Sequence, residues 1–322
     1  MRINLLPEEG KFYKVNMHSH SNLSDGVQTP EQLKELYKAQ GYSAIAYTEH
    51  GKIFDLTHLN DEDFIAITSY EMDMTKHGQP PFTFYEGEPQ ANSHFEVVHI
   101  NLYAKDPHNT TRVDISDLRT NYCIENINEA LRRAKEQGFL ACYNHPNWSL
   151  NTYPFYSQLE GLDALEIVNG ASNRSSDLDY TPYVYDQMTR AGKKLICVGG
   201  DDNHNTHHFF LAWTMVKAPE LTHEALLTAL ERGDCYSSDG PEIYDLYVED
   251  GKVHIHCSDA AGIFYTSAGR KKNCKLAPDY DHPVNEAVFG IPEEDICFRL
   301  TVKDIHGKHA NTRYYFIKDL QA

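Results

Sequence analysis

The stretch NMHSHSNLSDG, residues 16–26, decides how the rest of the chain is read. It puts His18 and His20 one residue apart, followed by Asp25 and Gly26. The residues before it include Phe12, Val15 and Met17, which predicts a first strand ending at the histidines. Side chains at i and i+2 of a strand point to the same side. Both imidazoles can therefore aim at one point, as two ligands of a metal must. In a chain with 18 histidines the spacing alone is a weak signal. Residues further along the chain strengthen it.

Downstream, Thr29-Pro30-Glu31-Gln32 predicts a helix start, with Thr29 as cap, Pro30 at the first helical position and Gln32 completing a capping box. Leu33, Leu36, Tyr37 and Ala39 give that helix an apolar side, and Gly41 stops it. An apolar run at 44–48 ends in Glu49-His50, and another at 64–70 ends in Glu71. Residues 75–95 read as a long loop, and 95–103 as a strand with His99 inside it. A helix at 124–137 leads to a strand at 139–143, which ends in Asn144-His145-Pro146. A strand at 164–168 ends in Asn169-Gly170, and a helix spans 183–190. The strand at 194–198 ends in Gly199-Gly200-Asp201-Asp202-Asn203-His204, and 209–216 and 222–231 read as a strand and a Thr-capped helix.

Strands that alternate with helices and are apolar almost throughout predict an α/β fold with a mostly parallel sheet or barrel. His18/His20, His50, Glu71, His145 and Asp202/His204 all fall at, or just past, the C-terminal end of an expected strand. Parallel α/β architectures build their sites at that edge. From about residue 240 the pattern changes to short alternating runs at 244–248, 253–257, 297–302 and 313–317, with Glu249-Asp250-Gly251-Lys252 as a hairpin turn. Two domains are expected: 1–240 as the α/β part, and 241–322 as a smaller antiparallel, sandwich-like β region.

The chain has 322 residues, is 41% hydrophobic and 24% charged, and carries a formal net charge of −18. No basic stripe stands out, which disfavours nucleic acid or an anionic membrane as the main partner. The seven cysteines, at 123, 142, 197, 235, 257, 274 and 297, contain no CxxC pair and fit reduced thiols. No apolar run reaches the ~18 residues of a membrane span, and a cytoplasmic protein is expected.

His, Asp and Glu without clustered cysteine suit Zn, Mn or Fe in a mixed nitrogen and oxygen environment, with room for two or three divalent ions. Such a cluster activates water and polarises an electrophile. The set HSHSNLSDG, TEH at 48–50, YE at 70–71, HINLY at 99–103, NHP at 144–146 and GDDNH at 200–204 resembles the successive motifs of the PHP (polymerase and histidinol phosphatase) metal-dependent phosphoesterases. The resemblance spans residues 12 to about 240 and is specific as a set, because the motifs match in type and order. It implies a distorted (β/α)7-type barrel with a trinuclear site. Carried over motif by motif, His18, His20, Glu71 and Asp202 hold one ion. Glu71 bridges to a second ion with His99 and His145, and Asp25, His50 and His204 hold the third. Glu71, Asp202 and His204 are the ligands expected to matter most to catalysis.

Two departures stand out. The second motif is usually Thr-Asp-His, and here it is Thr48-Glu49-His50. The expected loop at 75–95 separates Glu71 from His99, which leaves His94 as an alternative to His99. For substrate contact the candidates are Arg174, which could grip a phosphate with two parallel hydrogen bonds, and His207 with its neighbour His208. The expected function is hydrolysis of a small phosphorylated molecule by a metal-activated water. The alternatives are a carbamate, amide or ester hydrolase with the same metals, and a barrel that binds metal or ligand without turnover.

Overall fold

The computed structural model describes residues 2–76 and 95–320. The expected loop at 75–95 thus lies almost wholly outside the described residues, as does His94. The chain opens with β1 (Ile3–Asn4) and β2 (Lys11–Ser19), the second of which is buried over its last five residues. In α1 (Pro30–Lys38) the expected capping box forms, with Leu33 and Tyr37 buried. Next come β3 (Ala44–Tyr47), β4 (Ile65–Thr75) and β5 (Val97–Ala104). They are followed by α2 (Ile124–Glu136), β6 (Phe139–Tyr143) and a single turn, α3 (Tyr153–Tyr156). After β7 (Ala164–Asn169), Asn169 caps α4 (Gly170–Ser176) by accepting the Ser172 N–H at 2.9 Å. α5 (Pro182–Arg190), β8 (Ile196–Gly200), β9 (Trp213–Ala218), α6 (His223–Arg232) and β10 (Cys235–Ser238) complete this part.

The strand order β9-β2-β3-β4-β5-β6-β7-β8 belongs to one large mixed sheet. β2, β3 and β4 run parallel, as do β6, β7 and β8. β5 runs antiparallel to both β4 and β6, and β9 antiparallel to β2. The reversal of β5 puts its N-terminal end, with His99, at the same edge as the C-terminal ends of its neighbours. Residues spaced two apart on the parallel strands (Val15 and Met17, Ala44 and Ala46, Ile65 and Ile67, Ile196 and Val198) share one apolar core beneath that edge.

The expected barrel is not a closed sheet. β8 ends the hydrogen-bonded order, and it meets β2 through an isolated Ser19–Asn203 bridge and the Asp202 N–H on the His18 carbonyl at 2.8 Å. Gly200 shows why no ladder forms there: a Cβ on it would stand 2.6 Å from His18 Cβ and 2.7 Å from His18 N.

The remaining strands are β11 (Ile243–Glu249), β12 (Lys252–Ala260), β13 (Gly262–Ser267), β14 (Lys272–Leu276), β15 (Val284–Gly290), β16 (Cys297–Lys303), β17 (His309–Thr312) and β18 (Tyr315–Phe316). β1, β11, β12 and β15 make a separate antiparallel sheet. Asp250 and Gly251 turn between β11 and β12 with φ of 47° and 70°, the left-handed pair that a tight hairpin needs. β13, β14, β16, β17 and β18 instead extend the large sheet through β17 on β10. Ile255 and Phe289 of the small sheet and Phe298 and Leu300 of the large one share a core, which Leu5 and Leu6 join. Among the described residues no helix is long and apolar enough to cross a membrane.

Candidate metal centre

The nine side chains singled out from sequence (His18, His20, Asp25, His50, Glu71, His99, His145, Asp202 and His204) come together at one edge of the large sheet. They fall into four overlapping groups whose potential ligand atoms lie within 4.8 Å of one another. The loops that carry them are fixed locally. The β2–β3 ladder shifts register between Asn16 and Ser19, an irregularity of the kind that re-aims side chains beside sites. Gly26 lets the Asp25 loop fold back on β2, since a Cβ there would meet the His20 carbonyl oxygen at 2.3 Å. Glu49, one methylene longer than aspartate, is fully buried and accepts the Ser21 N–H at 2.9 Å and the hydroxyls of Ser21 and Ser24. It thereby clamps the loop that presents Asp25. Asp202 takes a left-handed φ of 52°, which aspartate tolerates.

The deep end of the site has the geometry of a coordination shell. His18 Nε2 lies 3.2 Å from His20 Nε2, 3.3 Å from Asp202 Oδ1 and 3.4 Å from Glu71 Oε1. His20 Nε2 lies 3.0 Å from Asp202 Oδ1 and 3.7 Å from Glu71 Oε2. A tetrahedron around Zn with bonds of 2.0–2.1 Å has edges of roughly 3.3 Å. Glu71 Oε1 also faces His99 Nδ1 at 3.0 Å and His145 Nε2 at 3.2 Å, while its Oε2 faces His50 Nδ1 at 2.9 Å. The two oxygens of one carboxylate thus serve separate nitrogen sets, as a bridging ligand does. Toward solvent, Asp25 Oδ2 stands 3.4 Å from His50 Nε2 and 3.5 Å from His204 Nε2. His18, His20 and Glu71 are fully buried, whereas half of the Asp25 side chain is open to solvent.

The donor set fits divalent cations on two further counts. Buried Glu71 Oε2, Asp202 Oδ1 and His20 Nδ1 have no hydrogen-bond partner, although buried polar atoms are rarely left so. The carboxylates also draw positive charge onto the site. Burial opposes charging His18, yet Asp202, Glu166 and Glu71 hold its pKa well above the usual value. Burial is likewise outweighed at His50, which Asp25 and Glu71 push up to about 10, and at His145, which Glu71 and Asp202 push up to about 9. For His20 burial wins, and its pKa falls to about 4. Burial would raise the carboxyls, but the facing histidines hold Glu71 and Asp202 well below their usual range and Asp25 at about 2.

Several supporting residues were not picked out from sequence. Glu166, buried in β7, accepts from His18 Nδ1 at 2.9 Å, from the His145 N–H at 3.2 Å and from Asn169 Nδ2 at 2.9 Å. With the proton on Nδ1, the His18 Nε2 lone pair faces the other donor atoms, the arrangement a metal-binding imidazole needs. Asn169 Nδ2 also reaches Asp202 Oδ2 at 3.0 Å, and Asn144 Nδ2 reaches Glu71 Oε1 at 2.9 Å. The sequence signals were present in Glu166, an acid inside an apolar run, and in the asparagines that end β6 and β7.

A cavity of about 340 Å³ opens over the cluster, lined also by Trp148, Ala171, Ser172, Ser175, Ser176 and His208. The two expected substrate contacts stand elsewhere. Arg174 is exposed and does not line the cavity, because the stretch is a helix whose Ala171, Ser172, Ser175 and Ser176 face it and whose Arg174 lies off that face. His207 is exposed in a short helical turn, while its neighbour His208 lines the cavity with Nε2 3.1 Å from Ser175 Oγ.

No protein-family model matches the chain, and no curated protein matches it. Several solved structures overlay on it, three of which follow. A two-domain protein from Bacteroides vulgatus ATCC 8482, described as containing a predicted PHP-like metal-dependent phosphoesterase, aligns over 97% of each chain with 15% identity and a TM-score of 0.48. A protein from Bifidobacterium adolescentis ATCC 15703, named as a metal-dependent phosphoesterase, aligns over 62% of this chain and 89% of its own, with 16% identity and a TM-score of 0.35. An amidohydrolase from Chromobacterium violaceum, with bound sulfate and no metal, aligns over 60% and 88%, with 15% identity and a TM-score of 0.38. At these identities and scores, the chemistry below rests on this chain's own geometry.

Proposed function

We propose that the protein is a metal-dependent phosphoesterase that hydrolyses a small phosphate ester at the nine-residue centre. The observation that carries this reading is the convergence of His18 and His20 Nε2 on the Asp202 and Glu71 carboxylates at 3.0–3.7 Å, with Glu71 Oε2 and Asp202 Oδ1 left without a hydrogen-bond partner. Bound there and at the Asp25 end, two or three divalent ions of the Zn, Mn or Fe kind would supply an activated water and a Lewis-acid grip on a phosphoryl oxygen. The protein's part is to hold the donors in place. Glu166 fixes the His18 tautomer, Asn169 and Asn144 steer the Asp202 and Glu71 carboxylates, and Glu49 pins the Asp25 loop.

Charge favours phosphate over a neutral bond. Three divalent ions bring about six positive charges against Asp25, Glu71, Asp202 and the adjoining Glu166, so the cluster stays net positive. A compact dianion gains most from such a field, in a protein whose overall charge of −18 repels long polyanions. The test is a panel assay of Mn-, Fe- and Zn-loaded protein on small phosphate esters, carboxylic esters and carbamates. Turnover of phosphate esters is expected. Turnover confined to carbamates or carboxylic esters would assign the same centre to that hydrolase class instead.

A further inference from the structure

The cavity has an aromatic wall that metal binding alone does not require. Trp148 is half exposed, and the backbone that carries it is anchored. The backbone N–H groups of Trp148 and Asn147 both donate to the buried Asp179 carboxylate, at 3.0 and 2.8 Å. The turn is closed by the Ser149 N–H on the His145 carbonyl at 3.1 Å. The indole centroid sits 5.4 Å from the His99 ring and 5.0 Å from the His145 ring. The indole thus packs on those two imidazoles and also lines the cavity. A second wall is polar and uncharged, built from Ser172, Ser175 and Ser176 of α4. Among the described residues no Lys or Arg lines the cavity, and the sequence of residues 77–94 contains neither.

We propose that the substrate's alcohol carries a ring that stacks on Trp148, and that this alcohol is itself uncharged. The proposal rests on the phosphoesterase reading. An indole that packs on two imidazoles and is half open to solvent beside the reactive cluster rewards a flat or ring-shaped group, because a ring held by its neighbours loses less freedom on stacking. The serine hydroxyls opposite can satisfy ring substituents. Away from the metal cluster, a second anionic group on the alcohol would find serine hydroxyls and the His208 imidazole, and no Lys or Arg among the described residues.

The test uses Mn-loaded wild type, Trp148→Ala and Trp148→Phe on phenyl phosphate, glucose 6-phosphate and glycerol 1-phosphate. Comparing variant with wild type on one substrate cancels the reactivity of the leaving group. Trp148→Ala is expected to lower kcat/KM for a ring-bearing ester by roughly five- to hundredfold, the range of stacking losses. It should leave the acyclic glycerol ester within about twofold and metal content unchanged, and Trp148→Phe should recover most of the loss. Loss on phenyl phosphate alone identifies an aromatic ring, and loss on glucose 6-phosphate alone a sugar. Equal loss on all three, or none on any, overturns the stacking role. A gain of about tenfold for glucose 1,6-bisphosphate over glucose 6-phosphate overturns the uncharged alcohol. If wild type hydrolyses none of these three esters, the phosphoesterase reading is decided by the wider panel above, and stacking is judged by binding. The chain has two tryptophans, so Trp213→Phe leaves Trp148 as the only indole fluorophore. Quenching by phenyl phosphate but not by glycerol 1-phosphate supports the proposal, and equal or absent quenching overturns it.

Discussion

Replacing Glu166 by glutamine removes one negative charge and one of two acceptor faces, while keeping the side chain's shape. One carboxylate oxygen takes His18 Nδ1 at 2.9 Å, and the other takes the His145 N–H at 3.2 Å and Asn169 Nδ2 at 2.9 Å. A glutamine has one oxygen for these two duties. If its oxygen faces His145 and Asn169, its NH2 faces His18 Nδ1. The His18 proton must then move to Nε2, which takes that lone pair away from Asp202 and Glu71. If the amide is turned round, its NH2 opposes two buried donors, at about 1–3 kcal/mol for each group left unsatisfied. The first orientation costs the metal-free protein less and is the one expected. Ion affinity should then weaken by roughly 10- to 100-fold, the usual effect of losing an acceptor behind a ligating histidine. Competition titration against a chelator measures this, with denaturant unfolding of the metal-free protein to separate the two orientations. Affinity within about twofold of wild type would show that Glu166 does not set the His18 tautomer or that His18 holds no ion.

Three further outcomes are expected. Glu71→Gln should release at least one ion and lower kcat by at least ~10²-fold, since both oxygens of Glu71 face histidine nitrogens; full metal content with near wild-type turnover would refute a bridging role. Asp186→Asn should cost about 3–5 kcal/mol in denaturant unfolding with metal content unchanged, because it strips the charge partner from buried Arg299, now held at 2.7 and 3.2 Å between α5 and β16. Burial lowers His309 from 6.5 to about 4, so the unfolded chain binds more protons in that interval and stability falls as pH drops from about 6.5 toward 4. His309→Phe, which can keep the stack on Tyr180, should flatten that part of the stability profile, and an unchanged slope would refute the assignment.

The sequence was most informative where a local rule determines a local structure. The alternation of His18 and His20, the capping box at Thr29 and the polar residues that end apolar runs all depend on near neighbours, and each kept its meaning in the fold. Glu71 was expected at a strand end, yet it lies inside β4, because pairing with the antiparallel β5 carries that strand on to Thr75. The open sheet was equally hidden, since it depends on how Gly200 meets His18 across the fold. Glu166 was legible in principle. An acid in an apolar strand must find partners, but nothing nearby in sequence says that one of them is His18. Arg174 is a candidate phosphate contact by sequence, but the helical period of α4 turns serines to the cavity in its place.

The central claim is that nine side chains from separate strands and loops form one multinuclear metal centre. Metal stoichiometry measured by elemental analysis on protein loaded with Mn, Fe or Zn and freed of excess ion tests it most directly. Two or three ions per chain are expected, with fewer in Glu71→Gln. Less than one ion per chain after loading, or a content unchanged by that substitution, would contradict it.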